Sequence, residues 1–581
     1  MDKVTGGHLL AKSLQQWGVT EVFSLHGGHL DTFLIQCKGN GIRLTDTRHE
    51  ASAGHAAEGY ARVTGKVGVC VVTAGPGFTN VYSAIANAYL DRIPVIFIVG
   101  APAASDTHLN VLQGGLDQIA CAIPVTRWAY RVSSGGQIPE VIDHAMRVAK
   151  SAIPGPVLIE VPIDVMFVPT GCKYEFSAPG AMAFPRAAGL SEADARDILT
   201  MLRSAERPVI IPGGGAVQSR CGELLLQLAE ITGIPVAAGM KAIGIMPPDH
   251  SLNAMSAISM AVAASVYDTE SDGVLLLGQR VGLFTGGADG IIPRSAQVAQ
   301  IDSDSSELGR GRKVEIPVVA DCYKALETLI AVARSMTWRD ISEWAATLRK
   351  GAQLSAIQWQ DTMPESVEGR LHPYYATKAL IDALPNNAII VCDGGESSIW
   401  VRDHVRTKGE GSFLIVGYLG TLGVGQGYAM GAARAYPDRP VYLFAGDGGV
   451  GFHIQEFDTM VRHSLNIHTV VLNNACWGMS QNGQDLMYGK QSRSIVELAD
   501  TSYDVVAEGF GCKGIRIERM DEIAAAINET KSAALPYCIN VRIDESVINP
   551  YTYVMIGLAA PQEGESEVGG VVIPYYDNID N

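Results

Sequence analysis

The chain has 581 residues, of which 47% are hydrophobic and 18% charged, a length that suits roughly three or four domains with buried cores. Sixty-one acidic residues against 44 basic ones give a net charge of −17, which argues against nucleic acid or an anionic membrane as a partner because both attract clustered Lys and Arg. The low charged fraction excludes an intrinsically disordered chain.

The chain shows no sign of export or membrane insertion. Its ten cysteines are scattered, without the spacing of a metal site or a redox motif. The longest apolar run, around 93–99, is far shorter than the ~20 residues of a membrane span. The first residues lack a basic start followed by an apolar segment. We therefore predict a cytoplasmic protein.

Short β-branched runs, each followed by a Gly-rich turn and an Ala-rich stretch, recur along the whole chain. Runs that are apolar without alternation are typical of parallel strands covered by helices on both faces. The runs lie at 67–73, 95–99, 156–161, 208–212, 274–277, 388–392, 441–445 and 468–472. The sequence thus predicts an α/β chain with three doubly wound parallel-sheet domains.

Composition places the joints between these domains. A stretch rich in Gly, Pro and small residues covers 170–185, and a polar, helical stretch with little strand character covers 338–373. We predict domains at 1–175, 186–345 and 365–548, followed by a tail at 549–581. The aromatic and β-branched content of the tail predicts a lid or an interface contact rather than a free end.

The third domain contains the clearest candidate for a metal site. Asp447 follows the run 441–445 within a Gly-rich turn, and Asn474 ends the next run. Because ligands of parallel sheets bind at the carboxyl ends of strands, the two side chains should lie close together. With a backbone carbonyl near Cys476 and two phosphate oxygens they would form an oxygen shell for Mg²⁺. Since no neighbour in the sequence would lower the pKa of its thiol, Cys476 should contribute only its backbone.

Gly446-Asp447-Gly448 together with Asn473-Asn474 resembles the thiamine diphosphate (ThDP) motif of the acetohydroxyacid synthase and decarboxylase superfamily. The N-terminal half adds Glu50 before an Ala-rich helical stretch, and a Gly-rich turn at 73–80. The benzaldehyde lyase group is the most similar, through 25–32, 46–62, 113–118, 417–420 and 456–459. This resemblance implies that the first domain binds the pyrimidine of ThDP and the third its diphosphate, with a middle domain between them.

The resemblance also implies a role for each matching residue. Glu50 would activate the cofactor through its aminopyrimidine ring, because a carboxyl in a dry pocket shares a proton with a weak base. His29 would be the acid/base on the substrate hydroxyl, Gln113 would orient the donor oxygen, and His26 would lie close by. The implied cofactor-binding residues are Thr73, Gly75, Asn80, Gly394, Gly395, Gly420, Thr421, Leu422, Gly446, Gly448, Gly449 and Gly478, and the implied metal ligands are Asp447, Asn474 and Cys476.

The implied substrate pocket departs from benzaldehyde lyase. Its residues are Gly28, Ile163, Ser398, Val416, Met479 and Ser480. Ile163 and Ser398 replace a Trp and a Tyr, Val416 replaces a His, and Met479 fills space that a small Ala leaves open. Loss of flat aromatic walls predicts short aliphatic acyl donors rather than benzoin.

The predicted activity is a ThDP- and Mg²⁺-dependent carboligase/lyase that forms or cleaves 2-hydroxy ketones, in a homodimer or homotetramer with active sites at the subunit interface. The alternatives are an acetolactate synthase-like enzyme using pyruvate and a 2-hydroxyacyl-CoA lyase, the latter weakened by a tail without Lys or Arg after Ala559. A non-catalytic nucleotide-binding subunit should lack Glu50 or the Asp447/Asn474 pair. The loop Gly213–Gly215 is not a complete Gly-x-Gly-x-x-Gly motif, and we predict no FAD or ADP there.

Overall fold

The computed structural model describes residues 4–552 except 107, 172–173, 283–284, 286–289, 354–358, 360–361, 366–368, 408 and 410. No helix within the described part of the chain is both long and apolar enough to cross a membrane. The tail at 549–581 was predicted to act as a lid or an interface contact. Only its first four residues, 549–552, are among the described residues.

The first sheet consists of the parallel strands β1 (Glu21–Ser24), β2 (Arg43–Asp46), β3 (Gly68–Val72), β4 (Val95–Ala101), β5 (Trp128–Arg131) and β6 (Val157–Pro162). Their order across the sheet is β2-β1-β3-β4-β6-β5. The helices of this part are α1 (Gly6–Gln16), α2 (Asp31–Gly39), α3 (Glu50–Thr64), α4 (Pro76–Asp91), α5 (Gln118–Ala122), α6 (Ile138–Ala149) and α7 (Ile163–Phe167).

The middle sheet is also parallel and consists of β7 (Pro208–Pro212), β8 (Val236–Ala238), β9 (Asn253–Ser256), β10 (Gly273–Leu277), β11 (Gln297–Asp302) and β12 (Ile316–Val319). The order β12-β11-β10-β7-β8-β9 is that of dinucleotide-binding doubly wound sheets. The helices are α8 (Glu192–Ser204), α9 (Gly214–Gln218), α10 (Gly222–Thr232), α11 (Ile258–Tyr267), α12 (Cys322–Ala333) and α13 (Ser342–Gln353). Trp344 and Leu348 of α13 are buried in the core of this domain.

The third sheet consists of the parallel strands β13 (Ile389–Asp393), β14 (Phe413–Ile415), β15 (Val441–Gly446), β16 (Ile467–Asn473), β17 (Lys513–Ile517) and β18 (Tyr537–Arg542), in the order β14-β13-β15-β16-β18-β17. Its helices are α14 (Pro373–Ala383), α15 (Glu396–Arg402), α16 (Val424–Ala435), α17 (Asp447–Gly451), α18 (Glu456–Arg462), α19 (Gly478–Tyr488), α20 (Tyr503–Gly509) and α21 (Ile523–Thr530).

The predicted fold class is confirmed: three parallel sheets, each covered by helices, follow one another along the chain. The central strands β3, β4, β15 and β16 are buried on both faces, which explains why their sequences are apolar without alternation. The residue numbers at which one domain passes into the next remain predictions.

The first and third domains share one hydrophobic core, in which α3 packs along α16. Glycines make this close approach possible, since a Cβ at Gly59 would lie 2.6 Å from the backbone of Tyr428. The buried Tyr428 hydroxyl then reaches Glu58 Oε1 at 2.8 Å and accepts a hydrogen bond from Asn87 Nδ2. The contact fixes α3, and with it the N-terminal position of Glu50, relative to the third sheet.

Candidate active site

A cavity of about 370 Å³ lies at the carboxyl ends of β13, β14, β15 and β16. Most of the predicted third-domain residues line it: Gly394, Gly395, Ser398, Val416, Gly420, Leu422, Gly446, Asp447, Gly448, Gly449, Asn474, Cys476, Gly478, Met479 and Ser480. Of the third-domain set, only Thr421 does not. The fold therefore brings together residues that are up to 86 positions apart, from 394 to 480, because parallel strands present their carboxyl ends at one edge.

The side chains of Asp447 and Asn474 and the carbonyl of Cys476, the predicted metal ligands, lie within hydrogen-bond distance of one another. One atom of the Asn474 side-chain amide lies 3.2 Å from Asp447 Oδ1 and 3.0 Å from the carbonyl oxygen of Cys476. If this atom is nitrogen it donates to both oxygens, whereas if it is oxygen three acceptors converge, as they do around a divalent cation. Asp447 Oδ2 is buried and has no hydrogen-bond partner within the described part of the chain. A carboxylate, an amide and a backbone carbonyl thus fit Mg²⁺.

Burial tunes the two ionisable groups of this cluster. Asp447 is only 2% exposed, and desolvation raises the pKa of its carboxyl to about 7. A bound cation would favour the ionised form and offset this cost. Desolvation also raises the pKa of the Cys476 thiol to about 12, which keeps it protonated near neutral pH. This supports the expectation that Cys476 contributes its carbonyl oxygen rather than its sulfur.

Glycines line the part of the cavity next to the metal cluster because side chains have no room there. A Cβ at Gly448 would lie 2.4 Å from the Trp477 ring, and Gly394 has a φ of +100°, which favours glycine. The turn after β13 is tied to α16 through Asp393, whose carboxylate accepts from the amides of Gly423 at 3.2 Å and Gly425 at 2.8 Å. Such an open backbone cradle fits a diphosphate.

The predicted activator Glu50 is the first residue of α3 and is 6% exposed. Asn80 Nδ2 donates to Glu50 Oε2 at 2.9 Å, a contact that links two residues to which the resemblance assigns roles at the cofactor. Asn80 engages the Oε2 atom of this carboxyl and not its Oε1 atom. Glu50 lies at the edge of the first sheet and does not line the cavity that contains Asp447.

A second group of predicted residues meets at the same edge of the first sheet. His29 Nδ1 lies 3.2 Å from Thr73 Oγ1, and burial lowers the pKa of His29. Gly75, with a φ of +62°, passes so close to Gln113 that a Cβ would lie 3.1 Å from the Gln113 Cα. Gln113 itself has a φ of +63°, uncommon for a residue with a side chain and frequent at functional sites.

The remaining predicted site residues of the first domain are His26, Gly28 and Ile163. His26 is largely exposed, and its Nε2 lies 2.8 Å from Asp31 Oδ1. Gly28 faces open space, and Ile163 begins α7 directly after β6. None of these three lines the Asp447 cavity, and neither do His29 and Gln113. In one copy of the chain the two predicted halves of the site are therefore separate.

The sequence analysis missed Glu396, which lines the Asp447 cavity. Its carboxyl accepts hydrogen bonds from Asn482 Nδ2 at 2.8 Å, the Asn549 amide at 3.0 Å and Thr552 Oγ1 at 3.0 Å. Burial raises the pKa of Glu396. An acid directly after Gly394-Gly395 at a predicted strand end was a usable signal. The residue fastens the first positions of the C-terminal tail to the wall of the cavity.

The Gly-rich loop Gly213–Gly215 of the middle domain follows β7. It lies where the strand order of the sheet changes direction, between β7 and β10. Gly213 and Gly215 donate to the carbonyls of Leu277 and Gly278, at 2.9 and 3.0 Å. The adjacent cavity measures only about 100 Å³ and contains Lys241, which pairs with the buried Asp91.

Three family descriptions match the chain in the order of its sheets. They are "Thiamine pyrophosphate enzyme, N-terminal TPP binding domain" over 4–121, the central domain over 195–329 and the C-terminal TPP binding domain over 393–541. The chain belongs to the thiamine pyrophosphate enzyme family. Its cofactors are Mg²⁺ and thiamine diphosphate, which is another name for thiamine pyrophosphate.

Curated relatives are similar over most of their length. An acetolactate synthase of Mycobacterium bovis is 32% identical over 546 residues, covering 92% of this chain and 87% of the relative. A probable acetolactate synthase large subunit of Methanocaldococcus jannaschii is 31% identical over 556 residues, covering 94% and 93%. An acetolactate synthase large subunit of Lactococcus lactis is 29% identical over 524 residues, covering 90% and 89%.

These relatives correct one expectation. The sequence analysis placed the chain nearest to benzaldehyde lyase, whereas these proteins carry the name of the alternative, acetolactate synthase. The motifs for the cofactor are common to the superfamily and do not separate its branches. The comparisons therefore favour the acetolactate synthase alternative over benzaldehyde lyase.

Proposed function

We propose that this protein is a ThDP-dependent carboligase of the acetolactate synthase type, which transfers an acyl unit from a 2-oxo acid such as pyruvate to a second carbonyl compound. The observation that carries the proposal is similarity to acetolactate synthases over 92% of the chain, together with a cavity that holds the predicted diphosphate and metal residues.

The residues would divide the work between the two halves of the site. When bound, ThDP supplies the carbon nucleophile. Asp447, Asn474 and the Cys476 carbonyl would hold Mg²⁺, and the glycines after β13 and β15 would leave room for the diphosphate. Glu50, whose Oε2 atom accepts from Asn80, would use its Oε1 atom to hold a proton for the pyrimidine ring.

His29 would handle the proton on the substrate oxygen. Its lowered pKa keeps the imidazole neutral near pH 7, so it can accept a proton before returning it. With Nδ1 next to Thr73, the Nε2 atom is left for substrate. Gln113, held in its unusual backbone conformation beside Gly75, would position the carbonyl oxygen of the donor.

The second candidate is the aldehyde lyase/carboligase predicted from the sequence, which joins or cleaves 2-hydroxy ketones without a decarboxylation. The placement of His29 and Gln113 at one sheet edge favours it, since cleavage of a carbinol needs a base near the hydroxyl. In either case we propose a homodimer or homotetramer in which the edge of the first sheet in one copy completes the Asp447 cavity of another.

Product analysis separates the two candidates. The protein, loaded with ThDP and Mg²⁺, is incubated with pyruvate alone, with aldehydes alone and with 2-hydroxy ketones, and the Asp447→Ala variant serves as the control. We expect pyruvate to be consumed with release of CO₂ and formation of a longer 2-hydroxy product. Unchanged pyruvate together with interconversion of aldehydes and 2-hydroxy ketones would replace the first candidate by the second.

A further inference from the structure

A cavity of about 250 Å³ lies beside Gln113, at the carboxyl ends of β4 and β6. Gln118, the first residue of α5, belongs to its wall and is buried. The segment 113–118 contributes to the resemblance described above, yet that resemblance gives a role to Gln113 alone. The hydrogen bonds of Gln118 supply a role for the other end of the segment.

The side-chain amide of Gln118 joins three segments of the first domain. Its Oε1 atom accepts from the amide of Gly75 at 2.9 Å, and its Nε2 atom donates to the carbonyl of Gly100 at 3.0 Å. The same Nε2 atom also donates to Glu160 Oε2 at 2.9 Å, so both amide hydrogens are used. One planar group thus ties the turn after β3 to the strands β4 and β6.

The two glycines that Gln118 holds lie directly against the residues proposed to act on the substrate. A Cβ at Gly75 would be 3.1 Å from Gln113 Cα, and a Cβ at Gly100 would be 2.9 Å from His29 Cβ. Gly75 has a φ of +62°, one of many conformations open to a glycine, so a contact from outside must select it. A shift of either glycine would therefore displace Gln113 or His29.

Glu160 fixes the orientation of the Gln118 amide. Its carboxylate is buried, and its Oε1 atom pairs with the half-exposed guanidinium of Arg131, which offsets the cost of burying the charge. An amide rotated by 180° would place its oxygen against the Glu160 carboxylate and its NH₂ group against the Gly75 amide, and both contacts are repulsive. Only the orientation with oxygen toward Gly75 satisfies all three partners.

We propose that Gln118 is a positioning residue, whose amide, oriented by Glu160, sets the places of His29 and Gln113 by holding Gly100 and Gly75. The inference rests on the proposed function, which gives His29 and Gln113 their roles on the substrate. Gln118 acts through the two glycines and has no assigned contact with substrate or cofactor.

Steady-state kinetics of the full chain loaded with ThDP and Mg²⁺ test the proposal, with pyruvate or, if product analysis favours the second candidate, a 2-hydroxy ketone. Gln118→Met replaces the amide by an apolar side chain of similar length. We expect kcat and kcat/KM to fall together by about 10- to 100-fold, with KM nearly unchanged, since a misplaced acid/base impairs the chemical step rather than binding.

Cofactor activation should be spared. Glu50 is held by Asn80, and neither is a hydrogen-bond partner of the Gln118 side chain. Proton–deuterium exchange at the thiazolium carbon of Gln118→Met should therefore stay near the wild-type rate. This result separates a defect on the substrate from a defect in the cofactor.

Gln300→Met is the matched control for lost stability. Gln300 is a fully buried glutamine of the middle domain with the same pattern of bonds. Its Nε2 atom donates to the carbonyls of Gln279 and Glu307 at 3.4 and 3.1 Å, and its Oε1 atom accepts from the amide of Gly309 at 3.0 Å. Both substitutions should lower Tm by similar amounts, whereas only Gln118→Met should lower kcat.

A second pair of variants tests the orientation of the amide. Gln118→Glu keeps an acceptor for Gly75 but places a second carboxylate against Glu160, so we expect a low kcat. Adding Glu160→Gln should raise kcat at least about fivefold over Gln118→Glu, because the new amide can donate to the carboxylate at 118 and accept from Arg131. No gain would show that Glu160 does not orient this group and would overturn the proposal.

The other outcomes separate the inference from the function on which it rests. Impaired His29→Ala and Gln113→Ala together with a wild-type kcat in Gln118→Met would overturn the inference alone. Equal losses of kcat in Gln118→Met and Gln300→Met would do the same, by reducing the effect to general destabilisation. Wild-type kcat in both His29→Ala and Gln113→Ala would refute the roles proposed for these two residues, and the inference with them.

Discussion

The first and third sheets have the same strand order, yet their edges have different chemistry. Numbered within each sheet, both follow 2-1-3-4-6-5. After the third strand, one sheet presents Gly75 and the turn into α4, whereas the other presents Asp447 and the turn into α17. Topology thus determines where a ligand can lie, and the residues at equivalent turns determine which part of it binds.

The two edges also differ in completeness. The third-domain edge closes around a cavity within one chain, and the predicted metal ligands lie together there. The first-domain edge contributes Glu50 and His29, neither of which faces that cavity. One chain thus brings together the predicted diphosphate and metal residues but leaves Glu50 and His29 apart from them.

The largest effect is expected at the complete edge. Asp447→Ala removes the only carboxylate of the predicted metal cluster, so we expect loss of ThDP and Mg²⁺ and no measurable turnover. Cofactor content after gel filtration measures this directly. Asp521→Ala, at a fully exposed position, is the matched control. Normal ThDP content in Asp447→Ala would remove the motif assignment.

A substitution at the first-domain edge should slow cofactor activation rather than prevent cofactor binding. Glu50→Gln keeps the hydrogen-bond geometry toward Asn80 but loses the exchangeable carboxyl proton. We expect cofactor content near that of wild type and proton–deuterium exchange at the thiazolium carbon slowed about 10²- to 10⁴-fold. Nuclear magnetic resonance of the quenched cofactor measures the rate. An unchanged exchange rate would show that Glu50 is not the activator.

Mixing the two variants tests whether the edges meet between copies. In a dimer of Glu50→Gln and Asp447→Ala chains, one site contains both wild-type residues and the other contains neither. Random exchange of equal amounts should restore about 25% of the sites, since half the dimers are mixed. Activity that stays at the level of the separate variants after demonstrated exchange would place both edges of a site in one chain.

A smaller effect concerns the acceptor side of the cavity. Met479 lies against Gly395, where a Cβ would be 3.1 Å from its sulfur. Met479→Ala should open space and raise kcat/KM for bulky aromatic substrates relative to short aliphatic ones by about tenfold. Met487→Ala, on a more exposed part of α19, is the control. Equal changes for both substrate sizes would mean that Met479 does not limit the pocket.

The smallest expected effect is on the stability of the third domain in acid. Burial of His468 in β16 lowers its pKa to about 4, and both ring nitrogens lack partners within the described residues. Above pH 6.5 the imidazole is neutral in the folded and unfolded chain, so its titration does not change the free energy of unfolding. Between pH 6.5 and 4 only the unfolded chain binds the proton, and stability falls by up to about 3 kcal/mol as the pH decreases.

His468→Phe should therefore flatten the fall of Tm between pH 6.5 and 4. His108→Phe, in an exposed loop, should leave the profile unchanged. Parallel profiles for wild type and His468→Phe would show that other groups dominate the acid response.

The sequence by itself determined the fold class and the meeting of Asp447 with Asn474, the predicted metal ligands. Apolar runs without alternation predicted buried parallel strands, and Asp447 and Asn474, each directly after such a run, had to meet at one sheet edge. Local chemistry was sufficient because both residues belong to neighbouring strands of one sheet.

Other features depended on contacts distant in sequence and only the tertiary structure decided them. Glu396 became part of the cavity wall through hydrogen bonds to Asn549 and Thr552, more than 150 positions later. No local pattern encodes such meetings, because they depend on how separately formed sheets and helices pack against one another.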